Sequence, residues 1–227
     1  VSAAKTPDLL LQGATAPAAP AADLRTPRAP ALVLASRSPR RRELLSEFGI
    51  PHHAAEPTID DAQLWPGAVP PDWWVTSLAY LKAWACRRTL AIEQPVLVLG
   101  ADTACIKQGV LIGTPNDARE AEKIIRFLAR GTHRVVTGVA LLGPGDAREL
   151  WCDRATVRVG ELSDAQIAAY IDSGLWQGKA GAYNLRERID AGWPIAFEGD
   201  PTAIMGLPMS RLLPSLRRAG IINGGTP

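Results

Sequence analysis

Residues 32–49 read Leu-Val-Leu-Ala-Ser-Arg-Ser-Pro-Arg-Arg-Arg-Glu-Leu-Leu-Ser-Glu-Phe-Gly. The apolar run Leu32–Ala35 is long enough for a buried strand. Ser38 then reads as a helix N-cap and Pro39 as the first helical residue, where a missing N–H leaves no bond unmade. Leu44, Leu45 and Phe48 supply one apolar face, and Gly49 is placed to stop the helix. The stretch is therefore strand, tight turn, helix. Arg40, Arg41 and Arg42 crowd the first helical turn. That end of a helix is already positive, so cations there are disfavoured by a few tenths of a kcal/mol each. Serine hydroxyls, free helix N–H groups and guanidinium forks together make a phosphate-binding turn. The plainer alternative is an exposed basic turn behind a well-made cap.

Composition narrows the function classes. The chain has 227 residues, a net charge of +2 and 47% hydrophobic residues. That is enough apolar content for a full core, in one domain or two lobes. The near-neutral charge argues against nucleic acid or an anionic membrane as partner. No apolar run approaches the roughly 20 residues of a membrane span. Cys86, Cys105 and Cys152 are scattered, odd in number and without metal-ligand spacing. They read as reduced residues of a cytoplasmic protein. Residues 1–30 are rich in Ala and Pro and lack aromatics, which predicts a disordered tail. A targeting peptide is the rival for that segment, opposed by few basic residues and by Asp8 and Asp23.

Along the rest of the chain, residues 51–71 read as a loop carrying His52, His53, Glu56, Asp60 and Asp61. The paired histidines are candidate metal ligands or ordinary surface residues. Residues 72–92 form a predicted helix with Trp74, Leu78, Leu81 and Ala85 on its buried face. Trp73, Trp74 and Trp84 are expected to pack, and Lys82 reads as a solvated lysine. Residues 95–100 are a buried strand ending in Ala101-Asp102-Thr103. An acid at the end of a buried strand is a usual functional address in open α/β sheets, although such acids also cap turns. A short hairpin turns at Gln108-Gly109, and a helix follows with Ala121, Ile124, Ile125 and Leu128. Residues 133–142 and 151–159 read as an antiparallel hairpin. Ser163 caps a helix that stops at Gly174, and residues 178–183 form a small-residue loop around Lys179. Residues 195–197 are a short strand, and a last helix carries Leu212, Leu213 and Leu216.

Seven ordered segments carry a resemblance. They are residues 34–41 (Leu-Ala-Ser-Arg-Ser-Pro-Arg-Arg), 78–83 (Leu-Ala, then Lys82-Ala83), 100–103 (Gly-Ala-Asp-Thr), 131–139 (Gly-Thr-His-Arg-Val-Val-Thr-Gly-Val), 170–174 (Tyr-Ile-Asp-Ser-Gly), 179–183 (Lys-Ala-Gly-Ala-Tyr) and 206–208 (Gly-Leu-Pro). The chain thereby resembles the Maf family of nucleoside triphosphate pyrophosphatases, over about residues 31–222. The resemblance implies an α/β fold of the Maf/ITPase type: an elongated mixed sheet flanked by helices, with two lobes around a central cleft. It implies hydrolysis of a nucleoside triphosphate between its α and β phosphates, with Mg²⁺ or Mn²⁺ as cofactor and a homodimer as one assembly. Asp102 takes the place of the catalytic base. Ser36, Ser38, Arg40, Arg41, Lys82, Thr103, Lys179 and Arg186 become the substrate-binding set, and Asp61 with Asp102 the metal ligands.

In family members acting on dTTP and UTP, three positions are associated with base choice, and here they hold Arg41, Thr103 and Arg186. The first two match and the third replaces a glutamine, so the resemblance leans to pyrimidine or modified nucleotides. The chain also departs from the family pattern at Thr114, where a phosphate-facing lysine is usual, and at Asp61 and Gly178. Arg186 is expected to place its guanidinium near the position of that missing lysine. The departures motivate a rival expectation from another class: a catalytically weak nucleotide-binding relative acting through a partner, for example in cell-division control.

Overall fold

In the computed structural model, which describes residues 30–59, 64, 66–90 and 95–223, the opening apolar run becomes strand β1 (Ala31–Ala35), and helix α1 (Pro39–Glu47) follows it. Leu44 and Leu45 are buried as expected, but Phe48 is exposed because the helix has already ended at Glu47. A short strand β2 (His53–Ala55) lies where the sequence predicts a loop. Its only signal is backbone pairing with β1, which leaves no apolar alternation to read. Asp60 and Asp61, like the tail up to residue 29, lie outside the described residues.

Helix α2 (Pro71–Thr89) buries Val75, Leu78, Ala79, Lys82, Ala83 and Cys86. The buried face is thus rotated by about one residue from the predicted one, and Trp73 and Trp84 point outward instead of packing. Trp74 is half-buried against Val75, Ala104, Ile106 and Val136. The rotation has a physical cause. Where the buried face crosses the sheet it carries Ala79 and Ala83, which allow a closer approach than the tryptophans do.

Strand β3 (Val96–Lys107) continues through Asp102 rather than ending there. It turns at Gln108-Gly109 into β4 (Val110–Ile112). Helix α3 (Ala118–Leu128) is capped by the Asp117 carboxylate, which accepts from the Glu120 N–H. The long hairpin β5 (Gly131–Leu142) and β6 (Arg148–Val159) follows. Helix α4 (Asp164–Asp172) starts on a capping box between Ser163 and Gln166. A 3-10 turn (Ala180–Ala182), helix α5 (Leu185–Asp190), strand β7 (Ile195–Glu198), helix α6 (Pro201–Ile204) and helix α7 (Met209–Arg218) complete the order.

The strands form one mixed sheet in the order β2-β1-β3-β5-β6-β7, with β4 on the flank of β3. β2, β1 and β3 run parallel; β4, β5, β6 and β7 pair antiparallel. Alternate residues of β3 face opposite layers. Val98, Ala104 and Ile106 meet α2, while Leu97, Leu99, Ala101 and Cys105 join the larger core under α1, α3, α4 and α7.

Candidate active site

The site sits where β3 changes partners. β1 pairs with β3 as far as Ala35 opposite Gly100, and β4 takes up the same flank at Ile112 opposite Cys105. Residues 101–104 lie in the gap between them. A cleft of about 820 Å³, its open mouth included, occupies this place. Ser38, Arg40, Arg41, Lys82, Asp102 and Thr103 all line it, together with Thr114, Gly178 and Tyr183.

On one face of β3 the site holds an ion pair. A Cβ on Gly100 would stand 2.1 Å from the Ala79 carbonyl oxygen, and one on Gly138 2.4 Å from the backbone of Val75 and Thr76. Two glycines on adjacent strands therefore let α2 rest on the sheet backbone itself. That contact brings Lys82 down to Asp102, and its Nζ donates to Oδ1 at 2.6 Å. The lysine side chain is 10% exposed and the carboxylate 16%. Lys82 is thus a buried partner of the acid, not the solvated lysine expected from its helix.

On the other face Arg41 organises a polar chain. Its Nε donates to the Gly206 carbonyl at 3.0 Å, one terminal nitrogen to Ser36 Oγ at 3.1 Å, and the other to Thr103 Oγ1 at 3.1 Å. Thr103 Oγ1 lies 2.9 Å from Thr137 Oγ1, which donates to the Ala203 carbonyl at 2.8 Å. The proton order follows. A carbonyl only accepts, so the Thr137 proton goes to Ala203 and Thr137 receives the Thr103 proton. Guanidinium only donates, so Thr103 accepts from Arg41. What Thr103 has left for the cleft is a lone pair.

The turn before α1 differs in detail from a side-chain cap. Ser38 stands at the N-cap position, but its hydroxyl makes no capping bond; its N–H instead donates to Ser36 Oγ at 3.2 Å. Ser36 is buried behind the cleft and acts there through Arg41 and Ser38. Arg42 faces solvent and donates to the Arg37 carbonyl. Arg40 lines the cleft. Burial lowers its guanidinium pKa from the ordinary value, opposed chiefly by the charge of Glu187.

Two predicted cations have protein partners. Lys179 Nζ donates to the Glu187 carboxylate at 2.5 Å. Arg186 donates to both oxygens of Glu47, at 2.8 and 3.0 Å. It lines a neighbouring cavity of about 470 Å³ with Glu43, Glu47 and Glu187, whereas Thr114 lines the main cleft. Arg186 is therefore not placed where the missing lysine would be. Thr137 and Glu187 join the site without a sequence signal of their own. Thr137 lies inside one of the matching motifs, but its role comes from cross-strand pairing with Thr103, which no local spacing reveals.

No group of three or more His, Cys, Asp or Glu side chains among the described residues is arranged to hold a metal. His52 Nδ1 lies 2.9 Å from the Ile50 carbonyl, and His53 is exposed on β2. A Mg²⁺-type ion needs only one or two carboxylates when substrate phosphates complete its shell. Asp102 meets that requirement, with Oδ1 already receiving the Lys82 proton.

A family model described as "Maf-like protein" matches residues 31–219. Among curated relatives, a dTTP/UTP pyrophosphatase of Symbiobacterium thermophilum is 38% identical over 86% of this chain and 97% of its own length. Enzymes of the same name from Anaeromyxobacter sp. and Salinibacter ruber are 37% and 38% identical, covering 83% and 82% of this chain and 89% of each relative. A solved nucleoside-triphosphatase (dITP/XTP pyrophosphatase) of Mycobacterium abscessus aligns with TM-score 0.34 and 14% identity, over 58% of this chain and 74% of that one. That likeness is too distant to add to the fold. The helix start with its arginines, the Asp-Thr pair on β3 and the family match across the whole described domain agree: this chain belongs to the Maf family.

Proposed function

We propose that the cleft hydrolyses a pyrimidine nucleoside triphosphate of the dTTP or UTP kind, giving the monophosphate and pyrophosphate. The observation that carries this reading is the convergence of Asp102 and Lys82 with Ser38, Arg40 and Arg41 in one cleft. A carboxylate held by an ammonium faces a cationic helix start, which is what a polyanion and an attacking water require. Asp102 takes the proton of a water aligned on the α phosphorus; the bond to the bridging oxygen breaks and pyrophosphate leaves. Lys82 fixes the orientation of the carboxylate. Arg40 and the α1 N-terminus neutralise phosphate oxygens. A Mg²⁺ or Mn²⁺ ion held by Asp102, with Asp61 as a second ligand, would supply charge neutralisation of the phosphates.

The names of the relatives support the pyrimidine reading, and so does Thr103. Its remaining lone pair matches the imide N3–H of uracil or thymine and opposes the bare N3 of cytosine. Thr114 favours the rival reading of a catalytically weak relative, because it offers the cleft no charge where a family lysine is usual. The deciding experiment is pyrophosphate release from a panel of nucleoside triphosphates with Mg²⁺ or Mn²⁺. The expected result is turnover highest on dTTP or UTP, lowered at least about a hundredfold in Asp102→Asn with binding retained. Binding without turnover of any nucleotide would favour the rival.

A cytoplasmic location and small-molecule substrates complete the reading. Among the described residues no helix is long and apolar enough to cross a membrane. The net charge of +2 gives little attraction to nucleic acid. The homodimer belongs to the same reading and is checked by light scattering.

A further inference from the structure

The neighbouring cavity behind Arg40 contains an anion that the chain supplies itself. Glu187 lies in the first turn of α5, where the Asn184 side chain accepts from its backbone N–H. Its carboxylate takes a hydrogen bond from Lys179 at 2.5 Å. Arg40 lines both cavities, so it stands between Glu187 and the cleft. On α5 the flanking Arg186 is engaged by Glu47 and the flanking Arg188 stacks over Tyr170 and Trp193, so the ion pair of Glu187 is with Lys179. Gly178 and Ala180, on either side of Lys179, both line the cleft, so the chain at Lys179 runs along the cleft wall while its side chain turns away to Glu187.

A carboxylate and a phosphate oxygen ask the same thing of an ammonium group: a short, charge-assisted hydrogen bond. We propose that Glu187 is a resident counter-anion that holds Lys179 before substrate arrives and competes with phosphate oxygens for it. It thereby sets the affinity of the cleft for polyphosphate and the ease with which pyrophosphate leaves. The proposal rests on the function proposed above, from which it takes the triphosphate. Glu187 is a positioning residue here, acting through Lys179. In the absence of phosphate it also spares Lys179 from lying uncompensated at 12% side-chain exposure.

The test is calorimetric binding of inorganic pyrophosphate and tripolyphosphate, with steady-state kinetics beside it. Glu187→Gln keeps the shape and the backbone cap while removing the charge. It should tighten polyphosphate binding about five- to twentyfold, the effect of releasing one ammonium to form a charge-assisted hydrogen bond with phosphate. KM should fall with it, and kcat should not rise, because product leaves more slowly. Glu187→Asp, which keeps the charge, should stay close to the unaltered protein. In a Lys179→Met background most of the tightening from Glu187→Gln should vanish. Unchanged or weaker binding in Glu187→Gln overturns the proposal. So does the full tightening persisting without Lys179, and so does failure of every variant to bind polyphosphate. The binding arm needs no turnover. Tighter binding with no nucleotide hydrolysed would therefore sink the enzymatic reading and leave the counter-anion standing.

Discussion

At the scale of single residues, the acid of the site is paired with an ammonium before any ligand arrives. Lys82 and Asp102 are both largely buried, and removing one strands the other. Lys82→Met should therefore destabilise the protein by about 3 kcal/mol in urea unfolding, as for other broken buried pairs. The double variant with Asp102→Asn should recover part of that loss, because no carboxylate is then left without its ammonium. Asp102 is legible in the sequence as a candidate because the end of a buried apolar run is a usual functional address, and the family resemblance decides between that role and a turn cap. Lys82 is legible only through the family resemblance. Its own helix gives the pattern of a solvated lysine, since amphipathic reading assigns a charged side chain to water unless a partner is known. The placement of Arg186 escapes the sequence for the same reason: Glu47, its partner, is 139 positions away in the chain.

At the scale of elements, the glycines on β3 and β5 set the height of α2 above the sheet. Gly138→Ala would press a methyl group into the backbone of Val75 and Thr76, which cannot move aside as a side chain can. A cost of about 2–3 kcal/mol is expected in thermal or urea unfolding. Turnover should fall further than the lost stability explains, since lifting α2 separates Lys82 from Asp102. Comparing activity at a temperature where both proteins are fully folded isolates that part. Among the elements read from the sequence, β1, β5 and β6 show as apolar or alternating runs, α1 by Pro39 at its first turn and α3 by its spaced apolar residues, whereas α2 is readable as a helix but not in the face it buries. β2, α5 and α6 span three, six and four residues, too few for a period to show. The continuation of β3 past Gly100 is hidden because polar Asp102 and Thr103 look like a strand's end. Pairing with β5 keeps the strand going across them.

At the scale of the whole molecule, acid should weaken the fold through a residue remote from the charge pair. His133 is 2% exposed and lies 2.9 Å from the Tyr183 hydroxyl. Burial, with the nearby Lys107 charge adding to it, lowers the imidazole from its ordinary 6.5 to about 4. Between those two values the unfolded chain binds a proton that the folded chain refuses. Stability should therefore fall as pH drops from about 6.5 to about 4 and level off below that. The contribution of this residue is about 3 kcal/mol. Urea unfolding at pH 7 and at about pH 4.5, inside that window, checks it: His133→Gln should lose less on acidification than the unaltered protein does.

The alternation of a single strand has a wider consequence. Asp102 and Thr103 are neighbours in sequence, yet one looks toward α2 and the other toward α1, with the peptide plane between them. On the function proposed above, chemistry and recognition are insulated although they share a wall. Drift in the layer that meets Thr103 would then retune which nucleobase is welcomed while the proposed hydrolytic couple stays undisturbed, placing new specificities a few substitutions away from the old.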